Sequence, residues 1–440
     1  MRIGFRVSST LCLVGLACGS PSADRVVDDP AGLAAPAGDG EKADGLYSVT
    51  GLRRWSLIGN AVTPGDDALE LTVLAPESTQ TIDAWLDSNP GIRLAKQDGT
   101  FVLSMGLGAV EPGTHTIRFA VDGSPVTTFS RTFERTHPLY VFVSNDWDTP
   151  DNADATLRRQ EALREQHPEL KLTHFVGPYT FTDRSISEAR RKVLIDWVKS
   201  QRELYNDEIG LHIHPYCSFV EAAGVACRIQ PSFAYQSDST GYTVVLASYD
   251  EAETGALLAK ADELFLANVL GKPTSFRAGG WTAVSHTLKA LGDHGYVADA
   301  SPANWRRLEE WQGRPNASIY EWNQEHWTTV NDTSQPYHPN VEDADSRLTP
   351  QLPILAIPDN GALVDYVSSN EMIDVFRANF DGTPLNFPTV VSIGYHPPNF
   401  GETYLARMQG ALDHIDGFLA SADRGPVVYA RASELARLEW

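Results

Sequence analysis

The hydrophobic pattern divides the chain into segments of different texture. From about 47 to 135, short apolar or alternating runs recur at 55–58, 68–74, 81–86, 101–105, 114–121 and 126–133. Turn-forming groups separate them, among them Pro64-Gly65-Asp66, Asp98-Gly99, Glu111-Pro112-Gly113 and Asp122-Gly123. Short strands with regular turn punctuation predict an all-β sandwich. From about 136 the pattern switches to strand and helix in alternation. An apolar strand at 139–143 precedes a helix at 154–166, a strand at 170–176 and a long helix at 185–205. Ser185 with Glu188 gives that helix a capping-box signature. A strand into His212, a helix at 250–270, a strand into Arg277 and a helix at 284–292 follow. Strands near 296 and 354, a helix at 369–379, a strand into His396, a helix at 402–421, a strand at 427–429 and a terminal helix complete the pattern. Alternation of this kind predicts α/β architecture with a parallel sheet, and seven or eight units predict a barrel. The expected organisation is a leader at 1–18, a tether at 19–46, a β-sandwich at 47–135 and the barrel at 136–440.

Composition adds three constraints. The chain has 440 residues and a formal net charge of -22, so nucleic acid and anionic membrane surfaces are excluded as expected partners. Arg2 and Arg6 precede the apolar stretch 11–16, which is too short to span a bilayer and reads as an export signal. The following Leu16-Ala17-Cys18-Gly19-Ser20 resembles a bacterial lipoprotein signal, with Cys18 as the lipidated residue. Cleavage near Ala17 and free secretion is the other reading. Residues 19–45 are rich in Ala, Gly, Pro and Asp and cannot bury enough surface to fold, which makes them a tether. Beyond this region only Cys217 and Cys227 remain, and an even pair in an oxidising compartment predicts a disulfide.

Active groups of a parallel α/β barrel sit at the C-terminal ends of its strands. The polar clusters of this chain fall there: Ser144-Asn145-Asp146-Trp147-Asp148, Gly210-Leu211-His212-Ile213-His214-Pro215, Phe276-Arg277-Ala278-Gly279-Gly280-Trp281, Asp299-Ala300-Ser301 and Gly394-Tyr395-His396-Pro397. Two His and one carboxylate make an open site for zinc. A second carboxylate and a third His would serve as base and acid, and an Arg would hold the base in place. His212 and His214 stand at i and i+2, so an extended segment turns both rings the same way. Asp146 and Asp148 share that spacing. Each cluster alone has an ordinary structural explanation, and only their occurrence together at successive strand ends argues for a site.

Over about 136–440 this ordered set resembles the polysaccharide deacetylases of carbohydrate esterase family 4. The resemblance implies a distorted (β/α)7-8 barrel and a divalent metal, zinc first. SNDWD resembles the first motif, with Asp146 as base and Asp148 as metal ligand. Matched instead to an adjacent pair, NDW would place Asn145 in the base slot and Asp146 on the metal. EIGLH resembles the strand into the first metal His, His212. The family's second His falls four residues later, where Tyr216 stands, and His214 takes its place here. SFRAGGW resembles the third motif, with Arg277 orienting the base and Trp281 beside the substrate. Asp299 and Trp305 resemble the fourth, and His396 the final acid.

The insert 301–352 carries Trp305, Trp311, Trp322, Trp327 and Tyr337, either as aromatic platforms for sugar rings or as a packed lid. THTIRFAVDG resembles a late strand and hairpin of an immunoglobulin-like domain. The expected substrate-binding residues are therefore Trp281, Asp299, Trp305 and Tyr337. The expected function is removal of acetyl groups, N-acetyl first, from a glycan in the cell envelope or outside the cell. A non-catalytic glycan-binding module and a metal-dependent amidohydrolase on a non-sugar amide are the alternatives.

Overall fold

A computed structural model describes residues 46–124, 128–234, 236–315 and 317–440. The expected leader, Cys18, the tether up to 45 and the start of the run at 126–133 lie outside the described residues. The described residues belong to one compact unit. No helix among them is long and apolar enough to cross a membrane.

The first strands are β1 (Ser48–Thr50), β2 (Trp55–Leu57), β3 (Ala68–Leu74), β4 (Ile82–Leu86), β5 (Ile92–Arg93), β6 (Ala95–Gln97), β7 (Thr100–Gly106), β8 (Gly113–Val121) and β9 (Thr128–Thr136). They form two sheets, ordered β1-β3-β7-β6 and β2-β9-β8-β4-β5. Leu71, Val73 and Phe101 of the first face Ile82, Ile117 and Phe119 of the second across one core. The alternating burial of β3 and β4 shows why period-two runs formed strands there.

The remaining strands are β10 (Leu139–Asp146), β11 (Leu172–Val176), β12 (Glu208–Ile213), β13 (Ser275–Ala278), β14 (Ala298–Asp299), β15 (Leu355–Ala356), β16 (Thr389–Tyr395) and β17 (Val427–Tyr429). They form a parallel sheet in the order β15-β14-β13-β12-β11-β10-β16, with β17 also on β10. Strands β10, β11 and β12 are buried along their whole length, as expected of strands covered on both faces. The segment after β15 links the outer strands: Ile357 N donates to Asp299 O, while Gly361 N and Val364 N donate to Ser392 O and Gly394 O of β16. The curled sheet thereby gathers its strand ends around one centre. The β-strand region is keyed to it by Trp55, which packs edge-on against Phe380, and by Thr63, hydrogen-bonded to Tyr140 at 2.9 Å.

Helices cover the sheet. The helix Glu188–Tyr205 is capped by Ser187, whose Oγ accepts from Arg190 N, and not by Ser185. Ser185 instead donates through N and Oγ to Asp183 Oδ1, closing a local turn that competes with the cap. The expected helix 402–421 ends earlier, at Asp416, where Gly417 terminates it.

Candidate metal centre and active site

The side chains at the strand ends point inward by simple alternation. Ser144 and Asp146 of β10 face Arg277, while Asn145 faces the other way, toward His174 at 2.8 Å and Tyr395 at 3.2 Å. Asn145 is thus committed outside the centre, which removes it from the base position. The chain turns sharply after β10, Asp148 N donating to Asp146 O, and this brings the Asp148 carboxylate over the end of β12.

Asp148 Oδ1 lies 3.1 Å from His212 Nε2 and 3.3 Å from His214 Nε2. The three donor atoms are all within 4.8 Å of one another. The opposite ring nitrogens decide what this means. His212 Nδ1 is 2.9 Å from Arg277 O, and His214 Nδ1 is 2.7 Å from Tyr242 O. A carbonyl oxygen only accepts, so Nδ1 carries the proton in both rings. In a neutral ring Nε2 then presents a lone pair, and both lone pairs converge on a carboxylate oxygen. Such an arrangement is repulsive unless positive charge sits between the three atoms. Burial lowers the His214 pKa despite the opposing pull of Asp148, which favours the neutral ring. The donor set therefore fits a divalent cation held by two imidazoles and one carboxylate, with outer carbonyls fixing the tautomers. Gly279 makes room for this: a Cβ there would lie 2.4 Å from His214 Nδ1.

Two further groups border the cluster. Arg277 is fully buried, and its Nη1 donates to Asp146 Oδ1 at 3.0 Å and to Ser144 Oγ at 2.8 Å. Its Nε donates to Ala300 O at 2.9 Å, and its Nη2 lies 3.6 Å from Asp359 Oδ2. Burial works against its charge, but Asp146 and Asp359 outweigh that and raise its pKa. His396 forms the other border. Its Nδ1 lies 2.9 Å from Asp365 Oδ2 and its Nε2 3.6 Å from Asp148 Oδ2. Burial opposes its protonation, but the Asp148 and Asp365 carboxylates prevail and raise it to about 10.

The remaining expected residues have other surroundings. Asp299 is buried, accepts from Ser301 Oγ at 2.6 Å, and is raised by burial to about 7. Trp281 is buried with Nε1 donating to Asp359 at 3.1 Å, and Tyr337 is buried with its hydroxyl on Ala344 O at 2.8 Å. Trp305 is half-buried against Tyr320. Within the insert, Trp327 is fully buried and donates to Trp281 O, so this ring packs in the interior and is no open platform. Trp311 is half-buried and meets Tyr366, whose ring in turn lies 6.1 Å from that of His396. Cys217 and Cys227 are disulfide-bonded, their Cα atoms 5.1 Å apart.

Asp359, Asp365, Tyr242 and Tyr366 were not expected from the sequence. Asp359 had a usable signal, since Pro358-Asp359-Asn360 follows a strand as the other clusters do. Asp365, Tyr242 and Tyr366 lie in loops with no motif of their own.

No family model matches the chain, and no curated relative does. Several solved structures resemble it. One is described as a polysaccharide deacetylase from Mycobacterium smegmatis, with 15% identity over 68% of this chain and 89% of that one, at a TM-score of 0.40. Another is described as a glycoside hydrolase/deacetylase from Parabacteroides distasonis, with 12% identity over 68% of this chain and 71% of that one, at a TM-score of 0.43. A family 4 carbohydrate esterase from Streptomyces lividans aligns at 11% identity over 64% of this chain and 90% of that one, at a TM-score of 0.32. The likeness is remote in every case, so the functional reading rests on this chain's own residues.

Proposed function

We propose that this chain is a metal-dependent hydrolase that removes acetyl groups, N-acetyl first, from a glycan in the cell envelope or outside the cell. The observation that carries the reading is the pair of imidazoles that spend Nδ1 on carbonyls and turn Nε2 onto Asp148, between a buffered carboxylate and a paired His. A bound divalent cation, zinc first, would polarise the acetyl carbonyl and make a water more acidic. Asp148, His212 and His214 would hold it.

The chain's own groups supply the proton transfers. Asp146, fixed by Arg277, accepts the proton of the attacking water. Its hydrogen bond to a permanently charged guanidinium keeps one carboxylate oxygen occupied and the other available. The Asp365 carboxylate favours the protonated form of His396, and that ring delivers its proton to the departing amine nitrogen. Asp365 holds the ring through Nδ1, which leaves Nε2 as the donating atom. Each such positioned acid or base contributes about 10² to 10⁴ in rate. Tyr366 is a half-buried aromatic ring beside His396, with Trp311 against it, and such rings suit the apolar plane of a sugar.

We read the two N-terminal sheets as an immunoglobulin-like packing module, and the leader as an export signal, ending either in a lipid anchor on Cys18 or in cleavage near Ala17 and secretion. The decisive experiment measures metal content and acetate release from chitin oligomers, peptidoglycan and acetyl-xylan. Full activity in metal-free protein, or in the His212→Ala variant, would sink the proposal.

A further inference from the structure

Tyr242 belongs to a loop far from the metal cluster in sequence, yet it touches two of the three donors. Its carbonyl accepts from His214 Nδ1 at 2.7 Å, and its hydroxyl donates to Asp148 Oδ2 at 3.0 Å. Its ring packs on the His214 ring at 4.5 Å. The opposite carboxylate oxygen, Asp148 Oδ1, is the one that faces both Nε2 atoms. From these contacts we infer that Tyr242 is a positioning residue of the metal centre, holding Asp148 to one oxygen toward the cation and fixing the tautomer of His214.

The loop is built to deliver it there. Asp238 ties the turn together, Oδ1 accepting from Thr240 N and Oδ2 from Thr243 N, each at 2.8 Å. Gly241 has φ +81, and a Cβ there would lie 2.2 Å from Pro215 O, so only glycine lets the loop approach the segment just after His214. Cys217 N donates to Thr240 O at 2.8 Å, and the disulfide anchors the same corner. Tyr216 stacks against Tyr242 at 5.3 Å and donates to Asp148 O at 3.1 Å, closing the far side. A loop contributing a carbonyl to one ligand and a hydroxyl to another acts on the geometry of the whole set, and outer partners of this kind typically change metal affinity by about 10- to 100-fold when removed.

The inference rests on the metal reading above, and the test separates the two. Tyr242→Phe deletes the hydroxyl and leaves ring and carbonyl in place. Zinc affinity of the full chain is measured by chelator competition, Co²⁺ spectra report the ligand field, and the unfolding midpoint of the metal-free protein reports folding. The expected result is zinc binding weakened about 10-fold or more, an altered Co²⁺ visible spectrum and an unchanged metal-free midpoint. Wild-type affinity and spectrum in Tyr242→Phe overturn the role of Tyr242 while leaving the metal site intact. A wild-type protein that binds neither zinc nor cobalt overturns the metal reading and this inference with it. Gly241→Ala gives a second reading through the carbonyl arm: metal affinity equal to wild type in a folded Gly241→Ala protein counts against the inference.

Discussion

Arg277 Nη1 meets Asp146 Oδ1 at 3.0 Å although 131 residues separate them, and both side chains are buried. Asp359 flanks the same guanidinium at 3.6 Å. Removing one partner of a buried pair leaves an uncompensated charge, which costs about 3 to 5 kcal/mol. Arg277→Ala is therefore expected to lower stability by that order and to abolish acetate release. Arg277→Lys keeps the charge but loses the fork that serves Ser144, Asp146 and Ala300 together. Chemical denaturation and acetate release measure both, and a stable, active Arg277→Ala protein refutes the assigned role.

Asp148→Asn keeps the shape of the side chain and removes its charge. The expected outcome is loss of stoichiometric zinc, read by elemental analysis after dialysis, together with loss of activity. Retained stoichiometric zinc in this variant would show that Asp148 is not a ligand.

His396 owes its raised value of about 10 to Asp148 and Asp365 acting against burial. A raised value means the imidazole holds its proton below that pH and loses it above. Activity that needs the protonated ring should therefore fall on the alkaline side. A cation on Asp148 offsets one of the two carboxylates, so Asp365 sets what remains. In Asp365→Asn the alkaline limb of the kcat/KM profile should move to lower pH. An unmoved limb rules out the His396–Asp365 pair as its origin.

Asp299 is raised to about 7 by burial, well above an exposed carboxyl. The folded state therefore holds this proton more tightly than the unfolded chain does. Its contribution to stability is fully present below about pH 4, fades as pH rises through 7 and is gone above. Asp299→Asn cannot ionise, so its stability should be flatter over that range than the wild type's. Denaturation midpoints at pH 4, 5.5 and 7.5 test this, and parallel curves for the two proteins would be the failing result.

The α/β half was largely legible where its strands are long and apolar. Leu139 to Val143 reads as a buried parallel strand on its own. Strands β14 and β15, two residues each, were legible only as positions near 296 and 354, since such lengths carry no period. Strands β1, β5 and β6 were missed for the same reason, being short and mostly exposed. In the candidate site, Asp146, Asp148, His212, His214, Arg277 and His396 stood out because each lies at or just beyond the C-terminal end of a strand. Tyr242 and Asp365 did not, because a loop residue acquires its partner through tertiary approach that spacing does not encode. The capping box misread at Ser185 shows the local version of this limit: Ser185 and Ser187 are equivalent in composition, and only the Asp183 turn decides between them.

Strand β10 has three partners, and two of them, β16 and β17, come from the last part of the chain. Leu139 pairs with both Thr389 and Val427, so the strand that carries Asp146 has no complete set of neighbours until the final strand has docked. Contacts between such distant segments form slowly because the intervening loop must close first. During synthesis, an apolar strand with open edges would wait for its partners, which is a state prone to wrong association. A polypeptide cut short before residue 427 would lack not a detached strand but a third neighbour of the one that carries Asp146.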